Sequence, residues 1–542
     1  MVPGGPTSDA YDHVWGYWWW AHALGNGRNP LVTTLSHQPA GGALWFVDPL
    51  NALLAAPLQA VTSTATATTL VLTAQVFLGM VAVWLGLRKE APMGAPVAAV
   101  IVAAGPYTLG LLQSGVYEFV ALGPLAGFYL ALRAGTVEAQ RPADASWVCA
   151  LLWFLAALGN FYYAAFAGLL ALVVLVERPA AWRLVRGTAV LALPPIILLA
   201  GFALLTLYAN DAVVDPQTAP GWAQGSLPAV DPLAFVHAGE YYFPDNRRMG
   251  NVGIVHVAYV GWVALGLAGV GLLASARPFR ALAAPALALV FALGPALAWH
   301  QHPLRLGGHD VWMPLAALYF PGSPFAFVHH PYRLVAVLML ALSPFIASGV
   351  QYLAGRSGWG LTAGLIALVL IETATWSPMR TGLTTAPVAA PKEYAAAALN
   401  PTVTGIFDFP PHHHVGNRQY EMYAIFHHKR MPYGVNSFLP AAWKDNGLVL
   451  AMLGCVKRPQ MLGIPREGGP PASGWFSRTG LVSPAPTAAQ VVTGAARLIA
   501  DGYSHVVLHP EHLKNQRVGC LSGLLATVAT GEGEWWGMGK VR

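Results

Sequence analysis

The chain is 542 residues long, 55% hydrophobic and only 10% charged, with a formal net charge of +6 and a mean hydropathy of +0.50. Soluble globular proteins carry roughly 25% charged residues, so the composition excludes an ordinary soluble domain and describes a multi-spanning membrane protein. The positive balance is no nucleic-acid signal either, because the arginines are scattered through short loops with no basic tract.

Residues 1–63 read as an outer loop with interfacial helices. Ser8 to Asn51 runs SDAYDHVWGYWWWAHALGNGRNPLVTTLSHQPAGGALWFVDPLN. Asp9 and Asp12, three residues apart, would share one helix face. Trp15, Trp18, Trp19 and Trp20, with Tyr17, would form an aromatic band of the kind that settles at the lipid headgroups. Two readings of the acids stand side by side: a functional pair at the membrane surface, or an N-cap (Asp9) with a favourable first-turn acid (Asp12). No apolar h-region precedes them, so no cleavable signal peptide is expected.

Residues 64–376 read as the transmembrane domain. Judged against the roughly 20 residues that cross a bilayer core, ten segments are candidate spans: Thr64–Leu87, Gly94–Leu112, Val116–Leu132, Trp147–Leu158, Phe161–Val176, Gly187–Tyr208, Val252–Leu273, Ala281–Trp299, Leu334–Leu353 and Trp359–Trp376. The fourth and fifth are short and read either as two spans or as one broken or re-entrant pair. With the first stretch outside, the inner connections at Arg88-Lys89-Glu90, Arg133 to Arg141, Arg178 to Arg186, Arg277 to Arg280 and Arg356 are all short and basic, as the positive-inside rule requires. The histidines, from His13 to His512, all fall in outer segments or near outer helix ends.

Residues 377–542 change character, with abundant Pro and Gly and no further span. TVTGIFDFP reads as a strand ending at Pro410. TAAQVVTGAARLIADGYSHVVLHPEH reads as helix, turn and strand: Val491, Ala495, Leu498 and Ile499 share a face, Gly502 ends the helix, and Val506 to Leu508 form a buried strand. A small extracytoplasmic α/β domain is expected. Cys455 and Cys520 either pair there or remain free buried thiols.

Ionisable groups are rare within the spans, which argues against an ion-coupled transporter; Glu118 and Glu372 are the exceptions, both near the interface. Glu118 follows a very short outer turn and either meets Asp9 and Asp12 at the same level or simply reaches water. Arg333, after His329-His330-Pro331-Tyr332, either binds a phosphate bidentately or anchors its helix by snorkelling. Glu240, Arg247 and Arg248 lie in the outer loop HAGEYYFPDNRRMGN, which suits a substrate lid or a loop packed on the C-terminal domain. His412-His413-His414 and His427-His428 match no structural zinc spacing. The chain has no Walker loop, nucleophile elbow or HExxH helix.

Taken together, SDAYDHVWGYWWWAHAL, NPLVTTLSHQPAGG, VDPLNALLAAPLQAV, LQSGVYEFVALGPLAGFYLALR, FALGPALAW, PGSPFAFVHHPYRL, GIFDFPP and YSHVVLHP resemble a group of bacterial membrane proteins related to the GT-C glycosyltransferases. The resemblance covers nearly the whole chain. It implies a helical GT-C-like membrane bundle with a C-terminal extracytoplasmic α/β domain, located in the plasma membrane. It also implies transfer of a sugar from a polyprenyl-phosphate or polyprenyl-diphosphate donor to a cell-envelope acceptor, with lipid-linked donor and membrane lipid as partners and no nucleic acid. Asp9 then takes the place of the family's Gly-Asp aspartate, with Ser8 for the glycine, and acts as general base. Asp12 and Glu118 are expected as supporting catalytic carboxylates, Arg333 and Arg247 as phosphate-holding groups, and His330 and Glu240 as further substrate-binding residues. Two features depart from the pattern. The chain begins only eight residues before Asp9, so the span that leads into this loop is expected to be missing. The acids are spaced DAYD instead of being adjacent or once-spaced, which bears on whether Asp9 and Asp12 hold a divalent cation such as Mg or Mn. The alternative is a GT-C scaffold without chemistry, serving in lipid handling or envelope assembly.

Overall fold

The computed structural model describes residues 1–5, 8–36, 42–43, 48–138, 142–209, 229–237, 258–276, 278–299, 302–318, 331–376, 382–410, 416–432, 446–456, 486–509, 515–532 and 534–538. Contacts divide the chain into two compact units. The first holds Met1–Ala10, Val47–Ala200 and Pro220–Ala386; the second holds Tyr11–Phe46, Gly201–Ala219 and Pro387–Arg542. Compactness thus groups the tryptophan-rich stretch with the C-terminal residues, where a split at 63 and 376 would leave it a separate loop.

The chain opens with β1 (Val2–Pro3) and α1 (Ala10–Gly25). In the first unit, α2 (Pro49–Gln59) starts at an Asp48 cap followed by proline, a favourable pairing because proline has no N–H to leave unsatisfied in the first turn. Asn51 Nδ2 donates to Asp48 Oδ2 at 2.9 Å and Gln75 Nε2 to Asn51 Oδ1 at 2.7 Å, so the Asp-Pro of VDPLN is a buried helix start. The bundle continues with α3 (Thr64–Leu87), α4 (Ala95–Ala104), α5 (Pro106–Ser114), α6 (Leu122–Glu138), α7 (Pro142–Gly159), α8 (Phe161–Glu177) and α9 (Trp182–Ala209), which belongs to this unit as far as Ala200. It ends with α10 (Trp262–Leu273), α11 (Pro278–Ala292), α12 (Val335–Ser357) and α13 (Trp359–Trp376). β2 (Thr385–Ala386) returns to pair antiparallel with β1.

Among the described residues, five helical segments are long and apolar enough to cross a membrane: Thr64–Leu87, Ala95–Ser114, Pro179–Phe202, Tyr332–Gly355 and Trp359–Trp376. Shorter apolar helices stand at four of the other five expected positions, Ala145–Gly159, Phe161–Glu177, Trp262–Leu273 and Ala281–Ala292. α7 and α8 are separate helices, because Asn160 between them caps the second, its Oδ1 accepting from Tyr162 N at 2.8 Å. Two expected spans are corrected. Val116–Leu132 begins as a 3-10 turn at Tyr117–Phe119, with the α-helix starting only at Leu122. Ala281–Trp299 stops at Ala292, where Gly294-Pro295 breaks the helix. Ala296–Trp299 is instead a strand, pairing with Ala229–Val230 and His302–Pro303. The start of the seventh expected span, 252–257, lies outside the described residues.

α10 and α12 cross at glycine contact: a Cβ on Gly271 would lie 2.0 Å from Phe345 O, and one on Gly349 2.1 Å from Leu267 O. Small residues let helix backbones approach where hydrophobic exclusion gives no help. Glu372 on α13 accepts from Trp262 N at 2.5 Å and Val263 N at 3.1 Å. This carboxylate therefore caps α10. The connections read from the sequence as inner also converge: Arg133 reaches Glu90 at 2.7 Å and Glu177 at 3.1 Å, and Arg178 reaches Glu177 at 3.5 Å. The ends of α3, α6 and α8 are thereby tied at one side of the bundle.

The second unit holds α1, α14 (Lys392–Leu399), β3 (Ile406–Phe409), α15 (Gly416–His427), α16 (Gly447–Val456), α17 (Ala488–Ala500), β4 (His505–Leu508), α18 (Asn515–Leu525), β5 (Thr530–Glu532) and β6 (Trp535–Gly537). The sheet order is β3-β4-β6-β5, with β3 and β4 parallel, Ile406 opposite His505 and Phe409 opposite Leu508. α17 starts on a Thr487–Gln490 capping box and buries Val491, Ala495 and Leu498, leaving Ile499 half-buried. Cys455 and Cys520 form a disulfide between α16 and α18, Cα atoms 5.6 Å apart. The α/β character expected for this part of the chain is present.

Candidate functional site

In the first unit the site is built around a tight turn. Gly115 ends α5 with φ +68, and a Cβ there would fall 2.3 Å from Ala10 N and 2.6 Å from Ser8 Oγ. Only glycine tolerates both the left-handed conformation and this approach. The turn is what lets the N-terminal segment lie against α5: Asp9 N donates to Ser114 O at 3.3 Å, and Ser8 Oγ accepts from Ala10 N at 3.3 Å. Asp9 therefore precedes α1 instead of standing on it. The shared helix face expected for Asp9 and Asp12 does not form, because the helix starts one residue too late.

The same turn leads into Tyr117–Phe119, which buries Glu118. Its Oε1 lies 3.9 Å from Arg333 Nη1, a charge contact too long for a hydrogen bond. Arg333 comes from the 3-10 turn Pro331–Leu334 ahead of α12. Its Cζ lies 4.3 Å from the Phe119 ring centroid and 5.5 Å from that of Tyr162, so the guanidinium rests on aromatic faces that attract a cation. Arg333 Nε donates to Tyr332 Oη at 3.4 Å, and Tyr107 Oη donates to Arg333 O at 3.4 Å. Tyr163 donates its hydroxyl to Phe119 O, fixing that ring's backbone. Asp9, Glu118 and Arg333 thus lie on connected backbone segments of one unit. Among the described residues Arg333 Nε alone of the five guanidinium donors makes a hydrogen bond.

Asp12 belongs to the second unit. Its Oδ2 accepts from Arg418 Nε at 3.0 Å, and fully buried Glu421, one helical turn further along α15, lies against the same carboxylate. Burial first, then the Asp12 charge, pushes the Glu421 carboxyl well above the usual range, while Arg418 opposes. The Glu421 carboxyl is therefore held towards its protonated form. The tryptophan band is corrected too: Trp15, Trp19 and Trp20 are buried and only Trp18 is half-exposed. Trp19 Nε1 donates to Pro30 O at 3.0 Å, so these rings pack protein instead of lining a lipid interface.

The motifs GIFDFPP and YSHVVLHP meet at the carboxyl ends of β3 and β4. His509 Nε2 lies 3.0 Å from Asp408 Oδ1 and 3.0 Å from Tyr394 Oη, and Tyr394 donates to Asp408 Oδ1. Sequence reasoning missed this triad, together with Arg418 and Glu421. The i,i+3 spacing of Arg418 and Glu421 was a visible signal; their partner on α1 was not. Arg247, Glu240 and His330, with the His412–His414 run, lie outside the described residues.

A magnesium or manganese ion needs about six oxygen ligands. Among the described residues no three His, Cys, Asp or Glu side chains gather as such a set, and one Asp12 oxygen already faces Arg418. The described donors around Asp9 and Asp12 do not fit that cage.

No family model and no curated protein matches the sequence. The mycobacterial arabinofuranosyltransferase AftD superposes over 99% of this chain at 15% identity and a TM-score of 0.50. The fold is GT-C-like. This chain spans 38% of the length of AftD. AglB of Archaeoglobus fulgidus, an oligosaccharyltransferase, gives 13% identity over 99% of this chain and 71% of its own, with a TM-score of 0.46. ArnT of Cupriavidus metallidurans gives 11% over 99% and 93%, at 0.40. Neither of these lower scores adds to the GT-C-like assignment, which describes a polytopic membrane protein with a helical bundle and small C-terminal sheets.

Proposed function

We propose that this chain is a GT-C-type glycosyltransferase that moves a hexosyl or pentosyl group from a polyprenyl-phosphate or polyprenyl-diphosphate donor to a cell-envelope acceptor. The reaction takes place at the outer face of a bacterial plasma membrane. The observation that carries the reading is Arg333: a buried guanidinium resting on Phe119 and Tyr162, with one carboxylate at 3.9 Å and the Asp9 backbone held nearby at Ser114.

In an inverting displacement Asp9 takes the proton of the acceptor hydroxyl, whose oxygen attacks the anomeric carbon. The bond from that carbon to the phosphate oxygen breaks, and the leaving phosphate gains negative charge. Arg333 meets that charge with its remaining donors, a bidentate geometry that guanidinium offers and ammonium does not. Glu118 keeps the guanidinium oriented, and Arg247, His330 and Glu240 are assigned to the donor as further binding groups. The Cys455–Cys520 bridge supports an extracytoplasmic second unit, since disulfides persist in oxidising compartments. The basic connections gathered at Arg133 and Arg178 support that end of the bundle as cytoplasmic.

The test is transfer from polyprenyl-phosphate sugars by the full chain in detergent or proteoliposomes. Asp9→Asn is expected to lower turnover about 10²–10⁴-fold, the usual contribution of a general base, with donor binding retained. Full activity in that variant removes Asp9 as the base, and a wild-type chain that binds donor without transfer favours the non-catalytic scaffold.

A further inference from the structure

α15 ends at His427, and the tandem His427-His428 splits there. His427 is fully buried and its Nδ1 accepts from Lys429 N at 2.8 Å. His428 is exposed and adopts φ +54, a left-handed conformation that L residues bearing a Cβ disfavour. Its ring lies beside the last turn of α1, with centroids 5.1 Å from Trp18 and 5.8 Å from His22. Trp18 and His22, one turn apart on α1, stack at 5.0 Å and 22°. The three rings form a triangle in the second unit, with one imidazole from each of two helix ends.

The hydrogen bond of His428 decides its chemistry. Nε2 lies 2.8 Å from Ile425 O, and a carbonyl can only accept, so Nε2 is the donor there and Nδ1 is the nitrogen left to face a ligand. A ring N–H held by a backbone carbonyl is the support that ligating histidines usually have. The spacing also fits. A borderline cation about 2.0–2.1 Å from one nitrogen of each ring places the two centroids roughly 5–6.5 Å apart for tetrahedral or wider angles, and the observed value is 5.8 Å.

We propose that His22 and His428 form a two-imidazole site for a borderline transition-metal cation such as Zn²⁺, with water completing the coordination. Imidazole nitrogen selects zinc, copper or nickel over magnesium or calcium, so the site is distinct from any oxygen-ligated cation expected at Asp9 and Asp12. It would join the C-terminal end of α1 to the end of α15. Arg28 is the charge that opposes it, and Trp18 orders the rings without ligating.

The experiment uses the full chain in detergent, titrated with ZnCl₂ against a competing chelator, and with Cu²⁺ for electron paramagnetic resonance. Wild type is expected to bind one more zinc equivalent than His22→Gln or His428→Asn, with zinc affinity at that site at least tenfold weaker in each single variant. Asparagine is chosen because it accepts the left-handed backbone. Copper at this site is expected to show coupling to two nitrogens in wild type and to one in either variant. Arg28→Gln is expected to tighten binding. Binding unchanged in both histidine variants overturns the proposal, as does zinc binding lost only when His412, His413 and His414 are replaced. Trp18→Phe, which keeps both ligands, separates ligation from ring packing: retained zinc supports the site, and loss of zinc with a native melting curve overturns it.

Discussion

Each unit sets buried acid against an arginine, and the surroundings of the two contacts differ. In the first unit Glu118 lies 3.9 Å from Arg333, with aromatic faces under the guanidinium. In the second, one guanidinium at 3.0 Å from Asp12 serves two carboxyls. Fully buried Glu421 is therefore left to keep its proton. Burial favours the neutral acid and a nearby positive charge opposes it, so the second unit keeps Glu421 protonated while Arg418 holds Asp12.

The largest expected effect comes from upsetting the Glu118–Arg333 contact. Arg333→Met removes the guanidinium beside buried Glu118 and is expected to destabilise the first unit by about 3–5 kcal/mol, read as a lowered unfolding midpoint of the full chain. Adding Glu118→Gln should restore a large part of that loss, since the double variant no longer buries an uncompensated charge. A double variant as unstable as the single one would show that aromatic packing, not charge balance, holds the turn.

Next is the pH response of the two-to-one cluster. The folded-state affinity of Glu421 for its proton exceeds the unfolded one. The native state therefore binds more protons, and stability falls as pH rises above about 4.5, the ordinary carboxyl value. Glu421→Gln mimics the protonated acid and should flatten that decline, measured as melting temperature against pH on the full chain.

The smallest expected effect has the opposite sign. Burial, then His428 and Lys429, lowers the His427 value from 6.5 to about 3. The unfolded chain therefore takes up the proton first, and stability is lost as pH falls from 6.5 towards 3. His427→Asn keeps an acceptor for Lys429 N and should flatten this acid limb alone. Glu421→Gln and His427→Asn changing the same limb would merge the two into one network.

Much of the bundle was legible because hydropathy is a local property. Thr64–Leu87 and Trp359–Trp376 are the expected segments to the residue, uninterrupted apolar runs for which burial in lipid or protein asks the same composition. The turn at Tyr117–Phe119 and the strand at Ala296–Trp299 were not legible. Their apolar residues suit a span equally well; a glycine turn at Gly115 interrupts the helix in one case and Gly294-Pro295 in the other, and pairing with Ala229–Val230 then makes Ala296–Trp299 a strand. Glu118 and Arg333 stand out as rare charges beside apolar runs and Asp9 through the family resemblance; the structure sets all three in one unit. The disulfide had been left open, since two distant thiols carry no pairing information.

By itself the sequence determined a membrane bundle followed by a small α/β part, because periodicity and hydropathy are written into neighbouring residues. It also marked which few charged side chains needed an explanation. Only the tertiary structure decided their partners. Asp9 and Asp12 are three apart in the chain, yet one goes with Ser114 and the other with Arg418 and Glu421, since the helix begins between them. Ion pairing depends on distance and burial in space, and contacts across four hundred residues leave no periodic trace in the chain that makes them.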